Sequence, residues 1–313
     1  MAALLQTASG VLRYRGGAGQ WAWAIHRAAG LGVLAFLLLH IFDIFLAAFG
    51  PQIFNDLLFL YKGWASRILE ILLLFGLLYH ALNGLRIILM DFFPIVASRR
   101  IARNFLYIQI AIFLALFVPA GIYMMYNLPA DQFGENAALS VIVTFGILAL
   151  PAVIVGFFSW LPLNAGTKLD VDPSTGNYQD GFDRIVASRT HRVMNRGELN
   201  IWLFMRISGF LLIVLALGHF FLMHFIYGVE SMDFNFIIDR WMDPSLGLFW
   251  RSYDLALLFF ALLHGMFGLR YSIDDYIHNH AAKFAVTGLA VLVEVAMLFM
   301  GAFIIFTFNA AKV

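Results

Sequence analysis

The sequence predicts an all-α integral membrane protein of seven transmembrane helices, arranged as two parallel three-helix repeats joined by a linking span. Three observations carry this prediction. Of 313 residues, 62% are apolar and only 12% charged, against about half and roughly a quarter in ordinary soluble domains; a water-soluble fold of this size could not hide so much apolar surface. Seven stretches reach the about 20 apolar residues that cross about 30 Å of hydrocarbon. The same polar residues also recur at the same spacings in the first three and the last three of those stretches. With so few charges and a net of +1, no field recruits nucleic acid or another acidic partner. Cysteine is absent, which excludes disulfides, thiolate zinc sites, Cys-ligated iron–sulfur clusters and a Cys nucleophile on this chain.

The elements follow in order. Met1–Gly19 lacks a long apolar core ending at a small-residue cleavage site and is not read as a signal peptide. Span 1 covers 28–49, after Arg13, Arg15 and Arg27. Span 2 covers 65–90 and is followed by Arg99, Arg100 and Arg103; span 3 covers 104–126, and the loop after it carries Asp131 and Glu135. Span 4 covers 139–161 and leads into the polar loop 162–202, read as a linker or else a surface for a cytoplasmic partner, with Arg184, Arg189, Arg192 and Arg196. Span 5 covers 203–227, before Glu230, Asp233, Asp239 and Asp243; span 6 covers 253–273, before Lys283 and with Arg270 at its end; span 7 covers 284–308. Basic loops alternate with acidic ones, so the positive-inside rule places the N-terminus in the cytoplasm of a multi-pass protein of the cell (inner) membrane. The organisation expected is a three-helix unit over 1–126, a linking helix and loop over 127–200, and a second three-helix unit over 201–313.

The duplication is carried by histidines. The first half reads Arg27-x-x-Gly30 with His40 thirteen residues after the Arg, then His80-x-x-x-Gly84-Leu85-Arg86 and Asp91. The second reads Arg206-x-x-Gly209 with His219 thirteen residues on, then His264-x-x-x-Gly268-Leu269-Arg270 and Asp275. At 1.5 Å per residue, His40 and His219 lie roughly 20 Å from the Arg end of their spans, and His80 and His264 roughly 9 Å from it. Four intramembrane histidines thus form two pairs at two depths. A lone histidine in a membrane helix is most often a hydrogen-bonding residue between helices; four at matched depths are not explained that way. Two facing imidazoles on adjacent helices are the axial ligands of a b-type haem, so two haem b groups are expected. Gly84 and Gly268, one turn after their histidines, either let a flat macrocycle approach or allow tight helix packing. Arg27, Arg86, Arg206 and Arg270, joined by His26, stand where haem propionates or a quinone carbonyl would need donors.

These residues resemble the membrane anchor of succinate:quinone oxidoreductase (complex II), its two usual anchor subunits fused. His26-Arg27-x-x-Gly30 and His80-x-x-x-Gly84-Leu85-Arg86 resemble the cytochrome b556 subunit; His264, Gly268, Asp275 and Tyr276 resemble the hydrophobic anchor subunit. The resemblance covers about residues 20–95 and 200–280 and is one of motifs. It implies that His80 and His264 hold the haem nearer the cytoplasm and that Arg27, Asp275 and Tyr276 surround a proximal quinone. His40 and His219 resemble the extra ligands of the two-haem members, usually associated with menaquinone. The resemblance further implies flavoprotein and iron–sulfur partner subunits on the cytoplasmic side, which carry the dicarboxylate chemistry, and a homotrimer of the whole complex is among the assemblies it allows. Where the family has a Ser three residues before the His of His-Arg, this chain has Trp23.

Two other readings compete. A different di-haem quinone cytochrome is imitated by His26-x13-His40, but spans 2, 5 and 6 offer no matching pair on a second helix. A transporter built from parallel repeats would show broken helices at matching positions, whereas Pro119 and Pro151 fall in spans 3 and 4, which are not repeat mates. Glu294, Glu70 and Asp43 lie within spans, where carboxyls are expensive; they are read either as protonated or paired groups facing a neighbouring helix or as a proton path or quinone site near the outer face. Glu70 with His224 marks a candidate second quinone site near the outer face.

Overall fold

The computed structural model describes residues 17–58, 64–93, 99–126 and 196–309. The expected span 139–161, most of the loop 162–202, Arg13, Arg15, Asp131 and Glu135 lie outside the described residues. Among the described residues every regular element is a helix: α1 (Ala18–Phe45), α2 (Pro51–Leu58), α3 (Trp64–Phe92), α4 (Arg99–Tyr126), α5 (Arg196–Phe221), α6 (Phe234–Trp241), α7 (Gly247–Tyr276) and α8 (His280–Thr307). Six of these, with α1 and α5 extended by short turns, are long and apolar enough to cross a membrane.

Among the described residues, the spans expected from hydropathy fall within longer helices, except that 284–308 ends one residue past α8. Hydropathy places span 1 at 28–49, but α1 begins ten residues earlier, at Ala18. The extra turns carry Trp21 and Trp23, aromatics suited to the membrane–water boundary, so the helix outlasts its apolar core. A 3₁₀ turn, Leu46–Phe49, ends α1. Gly50 then takes φ 108°, a conformation that costs glycine little, and Pro51 opens α2 at the position where its missing N–H is not needed. Asp233 caps α6 by accepting from the Phe236 N–H at 2.8 Å, and Asn279 caps α8 by accepting from the Ala282 N–H at 3.0 Å.

α1 packs on α3, α3 on α5, α5 on α7 and α7 on α1, which closes a ring of four helices. Outside the ring, α4 lies on α3, and α8 lies on α7 and α1. One end of the bundle is basic, with Arg27 and Arg206. The other is covered by α2 and α6, joined by the Phe234 N–H donating to Asn55 at 2.9 Å. Phe54, Phe234, Trp241 and Phe308 form the apolar core of that covered end. Arg251 fastens it: its guanidinium donates to the carbonyls of Trp241 (3.0 Å), Ile305 (2.6 Å) and Phe308 (2.9 Å), so it supplies partners to the carbonyls left open at the end of α8.

Candidate functional site

A cavity of about 830 Å³ runs through the ring, near the upper end of the ~300–1,000 Å³ typical of ligand pockets. It is lined at the basic end by Trp23, His26, Arg27 and Arg206, and at the covered end by Glu70, His224, Arg240 and Asp254. His80, His264, His40 and His219 all face it between those ends.

The four histidines pair as their depths require. The ring centres of His80 (α3) and His264 (α7) are 6.2 Å apart, and those of His40 (α1) and His219 (α5) are 6.1 Å apart. Two imidazoles that shared one metal ion, each with a bond of about 2 Å and about 1 Å from nitrogen to ring centre, would stand about 6 Å apart. Both pairs have that spacing, so these four residues could hold such an ion.

The surroundings of the first pair also fix which nitrogen is free. His80 Nδ1 lies 3.0 Å from the His26 carbonyl; a carbonyl only accepts, so Nδ1 carries the proton. Ser208 donates its own hydroxyl proton to the Phe204 carbonyl at 2.6 Å, so at 2.9 Å it accepts from His264 Nδ1. Each ring is thereby held as the tautomer whose Nε2 lone pair is bare, the form in which histidine binds a metal. The His26 ring lies flat on His80, 3.9 Å between centres and 8° between planes. The backbone of Gly30 closes the edge: a Cβ there would stand 2.7 Å from His80 Cε1. At the matching position on α5, a Cβ on Gly209 would stand 3.3 Å from His264 Cε1. Gly84 and Gly268 both line the cavity, and a Cβ on Gly268 would meet nothing within 4 Å.

At the basic end the arginines pair across the two halves of the sequence. Arg27 of α1 pairs with Asp275 of α7, and Arg206 of α5 pairs with Asp91 of α3 at 2.7 Å. Each guanidinium also lies over a tryptophan one turn earlier, Arg27 over Trp23 and Arg206 over Trp202, both at 4.4 Å. Trp23 thus carries a role as platform for Arg27. The two arginines differ in one respect. Arg206 commits Nε and both terminal nitrogens to Asp91 and the Trp202 carbonyl, whereas Arg27 keeps one buried nitrogen without a partner, a spare donor at the cavity wall. Tyr276 stands exposed at the end of α7, next to Asp275. Arg86 bonds Asn83 (3.1 Å) and Met90 (3.6 Å) on its own helix, and Arg270 pairs with Asp274 at 3.9 Å; neither lines the cavity.

At the covered end Glu70 accepts from Arg67 at 2.8 Å and lies 3.5 Å from His224 Nδ1. His224 sits in a π-helical segment, Leu222–Tyr227, a form frequently found at functional sites. On a straight α-helix it would stand about 140° round from His219; the wider turn reduces that angle, and both side chains line the cavity. Glu294 lies half-buried on α8.

No motif in the sequence singles out Ser208, Asp254 or Arg240 as functional. Ser208 differs from its repeat mate Ala29, and that difference is the only signal its role leaves. Asp254 and Arg240 come together across 14 positions at the loop end, and no motif marks them.

Residues 5–120 and 184–307 match the family model of the succinate dehydrogenase/fumarate reductase transmembrane subunit. The chain is 39% identical over 109 residues to a Mycobacterium tuberculosis protein, "succinate dehydrogenase 2 membrane subunit SdhC"; the match covers 35% of this chain and 79% of that one. It is 35% identical over 75 residues to the "succinate dehydrogenase hydrophobic membrane anchor subunit" of Halobacterium salinarum, covering 24% of this chain and 58% of that one. The family match takes in both histidine pairs and both crossed ion pairs, and this membrane chain belongs to the family of succinate dehydrogenase/fumarate reductase transmembrane subunits.

Proposed function

We propose that this chain is the di-haem b anchor of a succinate dehydrogenase, passing electrons from an iron–sulfur partner subunit to membrane quinone. The observation that carries the reading is the pair of facing histidine couples, 6.2 and 6.1 Å between ring centres, within one cavity. His80 and His264 would hold one haem, and His40 and His219 the other. When bound, each haem supplies a site that takes and gives one electron at a time. Ser208 and the His26 carbonyl orient the first ligand pair, and Gly30 and Gly209 leave room for its rings. Arg27 and Arg206 border the cavity where propionates need donors, with His26 beside them.

The basic end is read as the cytoplasmic side, where flavoprotein and iron–sulfur subunits dock, and the complex lies in the inner membrane, with a homotrimer as one assembly to test. The crossed ion pairs support a duplicated three-helix unit; the linking span expected at 139–161 lies outside the described residues. Quinone, expected to be menaquinone, binds between Arg27 and Tyr276. The spare nitrogen of Arg27 and the Tyr276 hydroxyl can each donate to a quinone oxygen, and Asp275 holds the guanidinium in place. A second quinone position at the covered end is favoured by the π segment that turns His224 toward Glu70.

The test uses the assembled complex under anaerobic conditions. Succinate should bring up a reduced b-type spectrum that added quinone discharges. A complex that oxidises succinate with a dye but shows no haem absorption would overturn the reading.

A further inference from the structure

Three of the four candidate ligands have a recognisable setting on their second nitrogen, and the settings differ. His80 and His264 face neutral oxygens, the His26 carbonyl and the Ser208 hydroxyl. His219 Nδ1 is buried without a hydrogen-bond partner, and 3.9 Å from it stands a carboxylate oxygen of Asp254. The carbonyl one turn before it, Leu215, already accepts from the Tyr253 hydroxyl at 2.6 Å.

Asp254 is firmly held. Its Oδ2 accepts from the Trp241 indole at 2.8 Å and from Arg240 Nε at 3.3 Å, and its Oδ1 accepts from a second Arg240 nitrogen at 2.8 Å. Arg240 and Trp241 are themselves buried, and the guanidinium lies 4.0 Å over Trp250. Three donors thus fix the carboxylate, and Oδ1 keeps a lone-pair direction for one more. A rotation of the His219 ring that moves Nδ1 by about 1 Å brings it within hydrogen-bond distance.

We propose that Asp254 is the positioning residue of His219: its carboxylate accepts the Nδ1 proton, fixes the tautomer that presents Nε2 to the cavity, and makes this imidazole a more basic ligand than the two at the other pair. The inference rests on the two-haem reading. A carboxylate–histidine couple behind a metal raises ligand basicity, which favours the oxidised iron. Removing the charge should therefore make the haem at His40/His219 easier to reduce.

The test is a potentiometric titration of the assembled complex, followed optically. In Asp254→Asn, the component that disappears in His219→Ala should shift to higher potential by about tenfold in its redox equilibrium, about 59 mV for one electron, while the other component stays in place. Trp241→Phe removes one donor from the carboxylate, leaves its charge, and should shift the same component the opposite way. If Asp254→Asn fails to retain haem, Trp241→Phe decides: a downward shift supports the assignment, and no shift overturns it. Two haems that keep their potentials in both variants, or move together, overturn the role of Asp254 alone. A single haem in the unaltered complex overturns the two-haem reading beneath it.

Discussion

Arg206 and Asp91 are 115 positions apart in sequence, yet Arg206 donates from two nitrogens to one carboxylate oxygen, at 3.0 and 2.7 Å. Arg27 and Asp275, 248 positions apart, repeat the relationship with the units exchanged. Each half of the sequence therefore supplies the arginine of one pair and the aspartate of the other, and neither closes the basic end alone. The side chains of Arg206 and Asp91 are 21% and 30% exposed, which limits what the pair contributes. A double-mutant cycle with Arg206→Ala and Asp91→Ala should give a coupling of about 1 kcal/mol or less toward stabilisation. Thermal unfolding of the complex measures it, and an unfavourable coupling would contradict the clasp.

Gly30 and Gly209 make an internal control. A methyl at Gly30 would stand 2.7 Å from His80 Cε1, closer than atoms tolerate, whereas one at Gly209 would stand 3.3 Å from His264 Cε1. Gly30→Ala should displace His80 and strip the haem at that pair. Gly209→Ala should keep most of it. Haem content of the two purified variants compares them directly, and equal loss would mean the glycines serve helix packing.

Ser208 fixes the proton of His264 by giving its own to Phe204. Ser208→Ala leaves the imidazole without that partner, and outer partners of metal-bound histidines are worth about 10–100-fold in affinity. Haem at the His80/His264 pair should be lost more readily on detergent dilution by about that factor, and Ser208→Thr, which keeps the hydroxyl, should restore it. Equal retention in both variants would remove Ser208 from the site.

Arg27 and Tyr276 separate quinone chemistry from succinate chemistry. Arg27→Ala removes a buried donor that has no partner of its own and should lower quinone reduction by tenfold or more, at about 1.4 kcal/mol per tenfold. Tyr276→Phe removes a hydroxyl and should lower it less. Succinate oxidation with an artificial dye should stay near normal in both. Unchanged quinone turnover in both, with loss in His224→Ala, would move the main quinone site to the covered end.

What could be read in the sequence was what depends on spacing along one helix. Apolar run length located the six spans within the described residues, and a fixed rise per residue paired His40 with His219 and His80 with His264 by depth. What could not be read depends on which helix faces which. The repeat gives Arg27 and Asp275 as motif members but not that they meet across units, nor that His26 lies flat on His80. The short helices α2 and α6 carry too few residues for a periodic signal, so the cover over the far end appears only in three dimensions, and with it Arg240 and Asp254. The π segment breaks the arithmetic itself: a rotation of 100° per residue holds only while the helix stays α, and His224 lies just where it does not.

Haem stoichiometry decides whether each histidine pair holds a haem. A pyridine haemochrome assay on the purified complex should return close to two haems per copy of this chain, falling to about one in His40→Ala or His219→Ala and, independently, in His80→Ala or His264→Ala. A value near one in the unaltered complex, unmoved by His40→Ala and His219→Ala, would contradict the two-haem reading and return those two histidines to a purely structural role.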